Sequence, residues 1–224
     1  MYELIEHLKK KQWLWLGSTE LPPQGYHPTG FKLLDDRLDG GFPLHGLVEL
    51  HSQSSIGELR LLCPHLRSNH GGKLSVFIQP PGQLSAQYLI AEGIDLNHVL
   101  LIYPETHKDA LWAAEQCLRS GACSNVLLWH CKLEVHHVRR LQVASEAGNC
   151  LSFLFKAPSK LFSLPVSLSM TLKPHIHGLE ITINKRKGGW PQSSFLLDMS
   201  VYWPDLAETK PQPVVLPFRR SKQG

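Results

Sequence analysis

The stretch TGFKLLDDRLDGGFPLHGLVELHSQSSIGELR, residues 29–60, decides the fold of this chain. A helical segment and the turn Gly40-Gly41 lead into the apolar strand Leu47-Val48-Glu49-Leu50, which is followed by a loop of small residues and the start of another helix. This order of elements is typical of the entrance to a phosphate-binding α/β domain. We therefore expect an α/β fold in which this loop decides whether phosphate can be bound.

The loop departs from a phosphate-binding loop at its chemically important positions. Such a loop reads G-x-x-x-x-G-K-[S/T], because backbone N–H groups and the Lys contact the phosphates while the hydroxyl binds Mg²⁺. The corresponding residues here are Ser52, Gly57, Glu58 and Leu59. The sequence therefore predicts a degenerate loop that acts as a strand-to-helix connection. An altered anion site using N–H groups at the helix start remains the alternative.

Composition indicates one folded domain with a tail. The chain has 224 residues, of which 42% are hydrophobic and 19% are charged, and its net charge is +4. Five cysteines without paired spacing are typical of reduced thiols in a cytoplasmic protein. We find no signal peptide and no apolar run long enough to span a membrane, so membrane contact is not expected.

Alternating strand and helix patterns follow the opening stretch. The apolar runs have the continuous hydrophobicity of parallel strands covered on both faces, and they occur at residues 74–78, 99–103, 126–129 and 151–155. Helical patterns occur at about residues 57–67, 85–92, 108–120 and 134–147. This alternation predicts a mainly parallel sheet flanked by helices.

The hydrophobic period changes to two near Val166, which predicts antiparallel strands at about 166–172, 179–183 and 195–199. The last residues are rich in proline and basic side chains, which is typical of a flexible tail. We expect an N-terminal helix and linker in residues 1–28, an α/β domain in residues 29–206 and a flexible tail in residues 207–224.

Local phrases carry a family resemblance. The segment Gly40-Gly41-Phe42-Pro43 and the strand after it resemble the RecA core. Residues 56–62 (IGELRLL), 109–116 (DALWAAEQ) and 185–191 (KRKGGWP) resemble the ImuA family, which is RecA-related and SulA-like. The resemblance implies a RecA-like fold with a mainly parallel sheet, helices on its faces and antiparallel C-terminal strands.

The same resemblance implies a protein-binding function. ImuA proteins are accessory factors of SOS-induced, error-prone translesion DNA synthesis. The expected partners are an ImuB-like Y-family polymerase homologue and an error-prone DnaE-type polymerase, with RecA and single-stranded DNA as further candidates. The related SulA proteins inhibit cell division by binding FtsZ, and this remains the alternative.

Comparison with RecA predicts that the chain is not an enzyme. Gln79-Pro80-Pro81 stands where RecA has its catalytic Glu, and His130 stands where the Mg²⁺-binding Asp of the Walker B strand is expected. Tyr88 matches a position at which RecA stacks adenine. With Glu58 and Leu59 in the loop, this makes four losses at the positions that bind phosphate, hold Mg²⁺ or orient water. We therefore expect no catalytic residue and no cofactor.

Two basic segments are candidates for binding DNA or a protein. Lys185, Arg186 and Lys187 form a turn that either contacts a partner or is merely solvated. The tail residues Phe218, Arg219 and Arg220 belong to a short apolar and basic segment that orders on a partner, binds a sliding clamp or has no partner. No metal site is expected, because Cys123, His130, Cys131, His136 and His137 do not have the spacing of a closed zinc site.

Overall fold

The structure, a computed structural model, describes residues 25–68, 71–129, 133–157 and 164–204. Several sequence predictions lie outside these residues: the N-terminal helix near residues 2–11, His130, Cys131, and the tail with Phe218, Arg219 and Arg220.

The described chain contains these strands: β1 (Tyr26–His27), β2 (Phe42–Pro43), β3 (Gly46–His51), β4 (Leu74–Ile78), β5 (Val99–Ile102), β6 (Cys123–Trp129), β7 (Leu151–Lys156), β8 (Leu168–His175), β9 (Gly178–Arg186) and β10 (Gln192–Asp198). Its α-helices are α1 (Lys32–Arg37), α2 (Glu58–Arg67), α3 (Ala86–Ala91), α4 (His107–Arg119) and α5 (Val135–Gly148). The predicted mixed α/β class is confirmed.

One large sheet organises the molecule. Its strand order is β10-β9-β8-β3-β7-β6-β4-β5. From β8 to β5 every neighbouring pair is parallel, whereas β9 and β10 are added antiparallel. This is the predicted mainly parallel sheet with an antiparallel C-terminal extension. A separate pair, β1 with β2, is antiparallel.

The two faces of the sheet carry two hydrophobic cores. On one face, α1, α2 and α3 bury residues such as Leu34, Leu62 and Leu89. On the other face, α4 and α5 bury Ala114 and Leu141, among others. The strands β3 and β7 lie at the centre and are almost fully buried, as their continuous apolar runs predict.

The prediction that the run at residues 99–103 is covered on both faces is wrong. The strand β5 is the outer strand of the sheet, and Leu100 and Leu101 are 41% and 38% exposed. The reason is topological: β5 pairs with β4 on one side and is the last strand of the described sheet on the other.

The parallel strands bring their carboxyl ends to one edge. The loop after β3, the segment Gln79-Pro80-Pro81 after β4 and Trp129 at the end of β6 therefore meet there. In open α/β sheets this edge is where ligands are bound. Whether the degenerate loop can bind phosphate therefore depends on the geometry at this edge.

Candidate functional site

The loop between β3 and α2 has a backbone that only a few residues tolerate. Gly57 is the N-cap of α2 with φ of 103°, and Ser55 has φ of 67°. Both values lie in the left-handed region, where a side chain is strained and glycine is favoured. The glycine of the phosphate-loop pattern is thus retained because the turn into α2 requires it.

Glu58 fills the loop with its own carboxylate. The N–H of Ser55 donates to Oε1 at 2.8 Å, and the N–H of Ile56 donates to Oε2 at 2.9 Å. Glu58 is only 6% exposed, so these bonds lie out of bulk water. In a phosphate-binding loop, backbone N–H groups of this kind cradle phosphate. Here a negative group of the same chain accepts them, and it also lies in the first turn of α2, where the helix dipole favours an anion.

This geometry bears on the alternative of an altered anion site. Such a site needs N–H groups at the helix start that are free to meet an external anion. The N–H groups of Ser55 and Ile56 are already bonded to Glu58. An incoming phosphate would have to displace a covalently attached carboxylate and would be repelled by it.

Aromatic rings occupy the cleft beside the loop. Trp129 stacks on Phe155 with a centroid distance of 4.2 Å and an interplanar angle of 2°, and it also stacks on Phe77 at 6.3 Å. Trp129 and Glu58 both line two cavities of about 390 and 410 Å³. The edge is therefore lined by packed indole and phenyl rings where metal-binding carboxylates are expected in an ATPase.

The described residues that stand where RecA has its catalytic Glu lie in this cleft. Gln79 and Pro81 line the cavity of about 410 Å³. The amide oxygen of Gln79 is buried and has no hydrogen-bond partner among the described residues. Tyr88 lines the neighbouring cavity, and its hydroxyl lies 3.5 Å from Cys63 Sγ. Burial, with the hydrogen bond to Cys63, raises the pKa of Tyr88, so this phenol stays neutral.

A buried charged cluster, which was not predicted from the sequence, lies on β3, β7 and β8. Glu49 of β3 accepts from Lys156 Nζ at 3.0 Å and from Ser169 Oγ at 3.1 Å. His51 Nε2 is 3.1 Å from the same carboxylate. Burial would raise the pKa of Glu49, but the proximity of His51 and Lys156 outweighs it and holds this pKa below its ordinary value. The acidic residue within the apolar strand Gly46–His51 was the available signal.

The predicted basic turn is only partly available to a partner. Arg186 pairs with Asp39 at 2.6 Å, and Lys185 Nζ donates to the carbonyl of Leu164 at 2.8 Å. Lys187 is the one member of the three that is exposed. Two of the three cations therefore stabilise the fold, and the turn presents Lys187 beside Trp190, whose side chain is 86% exposed.

The basic turn and the loop are at opposite ends of the sheet. Arg186 pairs with Leu168, which pairs with Val48 near the start of β3, whereas the loop follows the end of β3. The structure thus does not bring the basic turn into the cleft. A single site composed of both is excluded for this chain on its own.

Of the cysteine and histidine candidates for a metal site, the structure describes Cys123 in β6 and His136 and His137 in α5. The described residues contain no group of three or more His, Cys, Asp or Glu that could hold a metal ion. Cys150 is fully buried, and burial raises its pKa to about 12, which makes it a packing residue. None of the helices in residues 25–204 that the structure describes has the length and apolar character needed to cross a membrane.

Comparison with known proteins gives two groups of relatives. The family described as "Cell division inhibitor SulA" matches residues 41–152. The SulA protein of Photorhabdus laumondii is 34% identical over 119 residues, which cover 52% of this chain and 67% of that protein. RecA of Clavibacter michiganensis is 31% identical over 115 residues, or 50% of this chain.

The likeness to RecA is partial. The matched segment spans about a third, 32%, of the length of the Clavibacter protein.

Among solved structures, SulA from Pseudomonas aeruginosa is similar to this chain, with a TM-score of 0.43 and 25% identity. The match covers 50% of this chain and 98% of that one.

Proposed function

The chain belongs to the family of the cell division inhibitor SulA, and from this premise we propose that it is a non-catalytic accessory protein of the DNA-damage response. The observation that carries the proposal is the carboxylate of Glu58 bonded to the loop N–H groups. A RecA-related domain that has filled its own phosphate loop retains the scaffold and can act through its surfaces.

We propose more specifically that the protein works in error-prone translesion synthesis. The ImuA-like phrases support this. Two of them lie at the start of α2 (residues 56–62) and within α4 (residues 109–116). The third, at residues 185–191, lies beyond the segment matched by SulA, in a C-terminal unit formed by β8, β9 and β10. Its partners are then an ImuB-like Y-family polymerase homologue and an error-prone DnaE-type polymerase, with RecA and single-stranded DNA as further candidates.

The second candidate function is inhibition of cell division through FtsZ. It is favoured by the family match and by the 67% of the Photorhabdus SulA protein that this chain covers. One observation disfavours division control: the chain continues beyond residue 152, where the family match ends, and forms strands β8 to β10 there.

One experiment separates the two functions. The gene is deleted and, in parallel, overexpressed, and both damage-induced mutation frequency and cell length are measured. We expect the deletion to lower damage-induced mutagenesis and overexpression to leave cell length unchanged. Filamentation on overexpression, with unchanged mutagenesis in the deletion strain, would favour division control and refute the first choice.

The proposal that the chain does not hydrolyse ATP is tested by measuring phosphate release. Purified full chain is incubated with Mg²⁺ and ATP, and phosphate release is measured beside a Glu58→Ala variant. We expect neither protein to release phosphate above the protein-free rate. Turnover by the wild-type chain that the variant lacks would refute the proposal of a non-catalytic domain.

A further inference from the structure

A groove runs between α4 and α5 on the sheet face opposite the loop helix α2. Its volume is about 510 Å³. It is lined by His107, Lys108, Leu111, Trp112, Glu115, His137, Arg140 and Leu141. Of these residues only His107 also lines the loop cleft, and none belongs to the basic turn.

The floor of the groove is apolar, and Trp112 is its most prominent member. The sheet-facing side of α4 is made by alanines such as Ala110 and Ala114, together with Leu118, so the core does not use the indole. Trp112 is 63% exposed. A largely exposed indole beside Leu111 and Leu141 is the type of surface at which binding energy concentrates in protein interfaces.

The rim of the groove has a surplus of positive charge. The carboxylate of Glu115 is engaged at both oxygens, since Arg119 donates to Oε1 at 3.1 Å and Arg140 donates to Oε2. One carboxylate thus serves two guanidinium groups, and Lys108 is a further exposed cation on the rim. Among the residues that line the groove, Lys108 and Arg140 against Glu115 leave a charge of +1, and Arg119 adds a further cation beside it. This positive charge favours acidic groups on the partner that covers the floor.

We propose that this groove binds an amphipathic helix of a partner protein, with leucine-like side chains on one face and Asp or Glu beside them. The inference rests on the protein-binding function proposed above and names the chemistry of the partner. A third helix fits a groove between two neighbouring helices through ridge-and-groove packing. The length of α4, 13 residues, matches roughly 20 Å of such a helix.

The test uses the full chain and two synthetic peptides. One labelled peptide of about 16 residues, or roughly 24 Å of helix, carries Leu at i, i+3, i+4 and i+7 and Glu at the flanking positions. The other has Lys in place of every Glu. Binding is followed by fluorescence anisotropy at low salt. We expect the acidic peptide to bind roughly tenfold or more tightly than the basic one, and salt to weaken it.

Matched variants locate the binding. Trp112→Ala is expected to weaken the acidic peptide roughly tenfold or more, as at an interface hot spot. Trp190→Ala removes an even more exposed indole from the basic turn and is expected to leave binding unchanged. Lys108→Glu is likewise expected to weaken binding of the acidic peptide, whereas its control Lys187→Glu is expected to leave binding unchanged. Urea midpoints verify that all four variants are folded.

Two results would overturn the groove proposal: equal affinity for both peptides, or equal effects of Trp112→Ala and Trp190→Ala. The proposed function is tested separately with a purified ImuB-like polymerase homologue. If that protein does not bind the wild-type chain, the proposed translesion partner is refuted, while the peptide experiment still decides the chemistry of the groove.

Discussion

Replacing Glu58 by alanine removes both hydrogen bonds that close the loop. The N–H groups of Ser55 and Ile56 then lose their acceptor, in a place where the replaced side chain was 6% exposed. A hydrogen bond to a charged group contributes about 1.5–3 kcal/mol. The two bonds share one carboxylate and water can enter the space left behind, so we expect a loss of about 3 kcal/mol. This is a large part of the 5–15 kcal/mol that stabilises a typical domain.

The loss is measured by urea unfolding followed by circular dichroism. Glu105→Ala is the matched control, because Glu105 is exposed and a surface substitution changes stability by less than about 0.5 kcal/mol. Glu58→Lys restores the Gly-Lys pair of a phosphate loop but points a cation at two N–H donors. We expect it to be less stable than the alanine variant and not to bind ATP. If Glu58→Ala unfolds at the same midpoint as the control, the carboxylate does not hold the loop.

Three further results are expected. The folded-state pKa of Glu49 is lowered, so its contribution to stability is complete above the unfolded-state value of about 4.3 and is lost as pH falls through the folded-state pKa. The difference in urea midpoint between wild type and Glu49→Gln should therefore narrow from pH 7 to pH 3, and a constant difference would contradict this. Gly46→Ala should destabilise by about 2 kcal/mol in the same assay, because φ is 108° and the added Cβ would overlap Ser167 Oγ, whereas an unchanged midpoint would show that the strand entrance can shift. Arg186→Ala should lower the melting temperature, since it breaks the pair with Asp39. Lys187→Ala should leave the melting temperature unchanged and weaken single-stranded DNA binding in a filter assay at low salt. Equal melting curves for the two variants would contradict this difference between the two residues.

The order of strands and helices was predictable from the sequence because each parallel strand is a continuous apolar run. The position of a strand in the sheet was not. The run at residues 99–103 is as apolar as the central strands, yet it forms the edge. The hydrophobicity of a strand indicates how much of its surface can be buried. Which strands and helices pack against it depends on the topology of the whole chain.

The site shows the same division between local and distant causes. Loss of the phosphate-binding residues could be read directly from Glu58 and Leu59. That Glu58 bonds the N–H groups of its own loop could not, because the bonds depend on the left-handed turn at Ser55. The pairing of Arg186 with Asp39 likewise joins residues far apart in sequence, which is why the basic turn looked more available than it is.

A loop whose anion is part of the chain cannot be emptied and refilled. Proteins that cycle between nucleotide states change conformation when phosphate is released, so their conformation depends on the nucleotide that is bound. In this chain the carboxylate of Glu58 accepts the loop N–H groups of Ser55 and Ile56. Under the proposed non-catalytic function, no nucleotide state would time the action of the protein. Its effect would then be set by the amount of protein that synthesis and degradation leave in the cell.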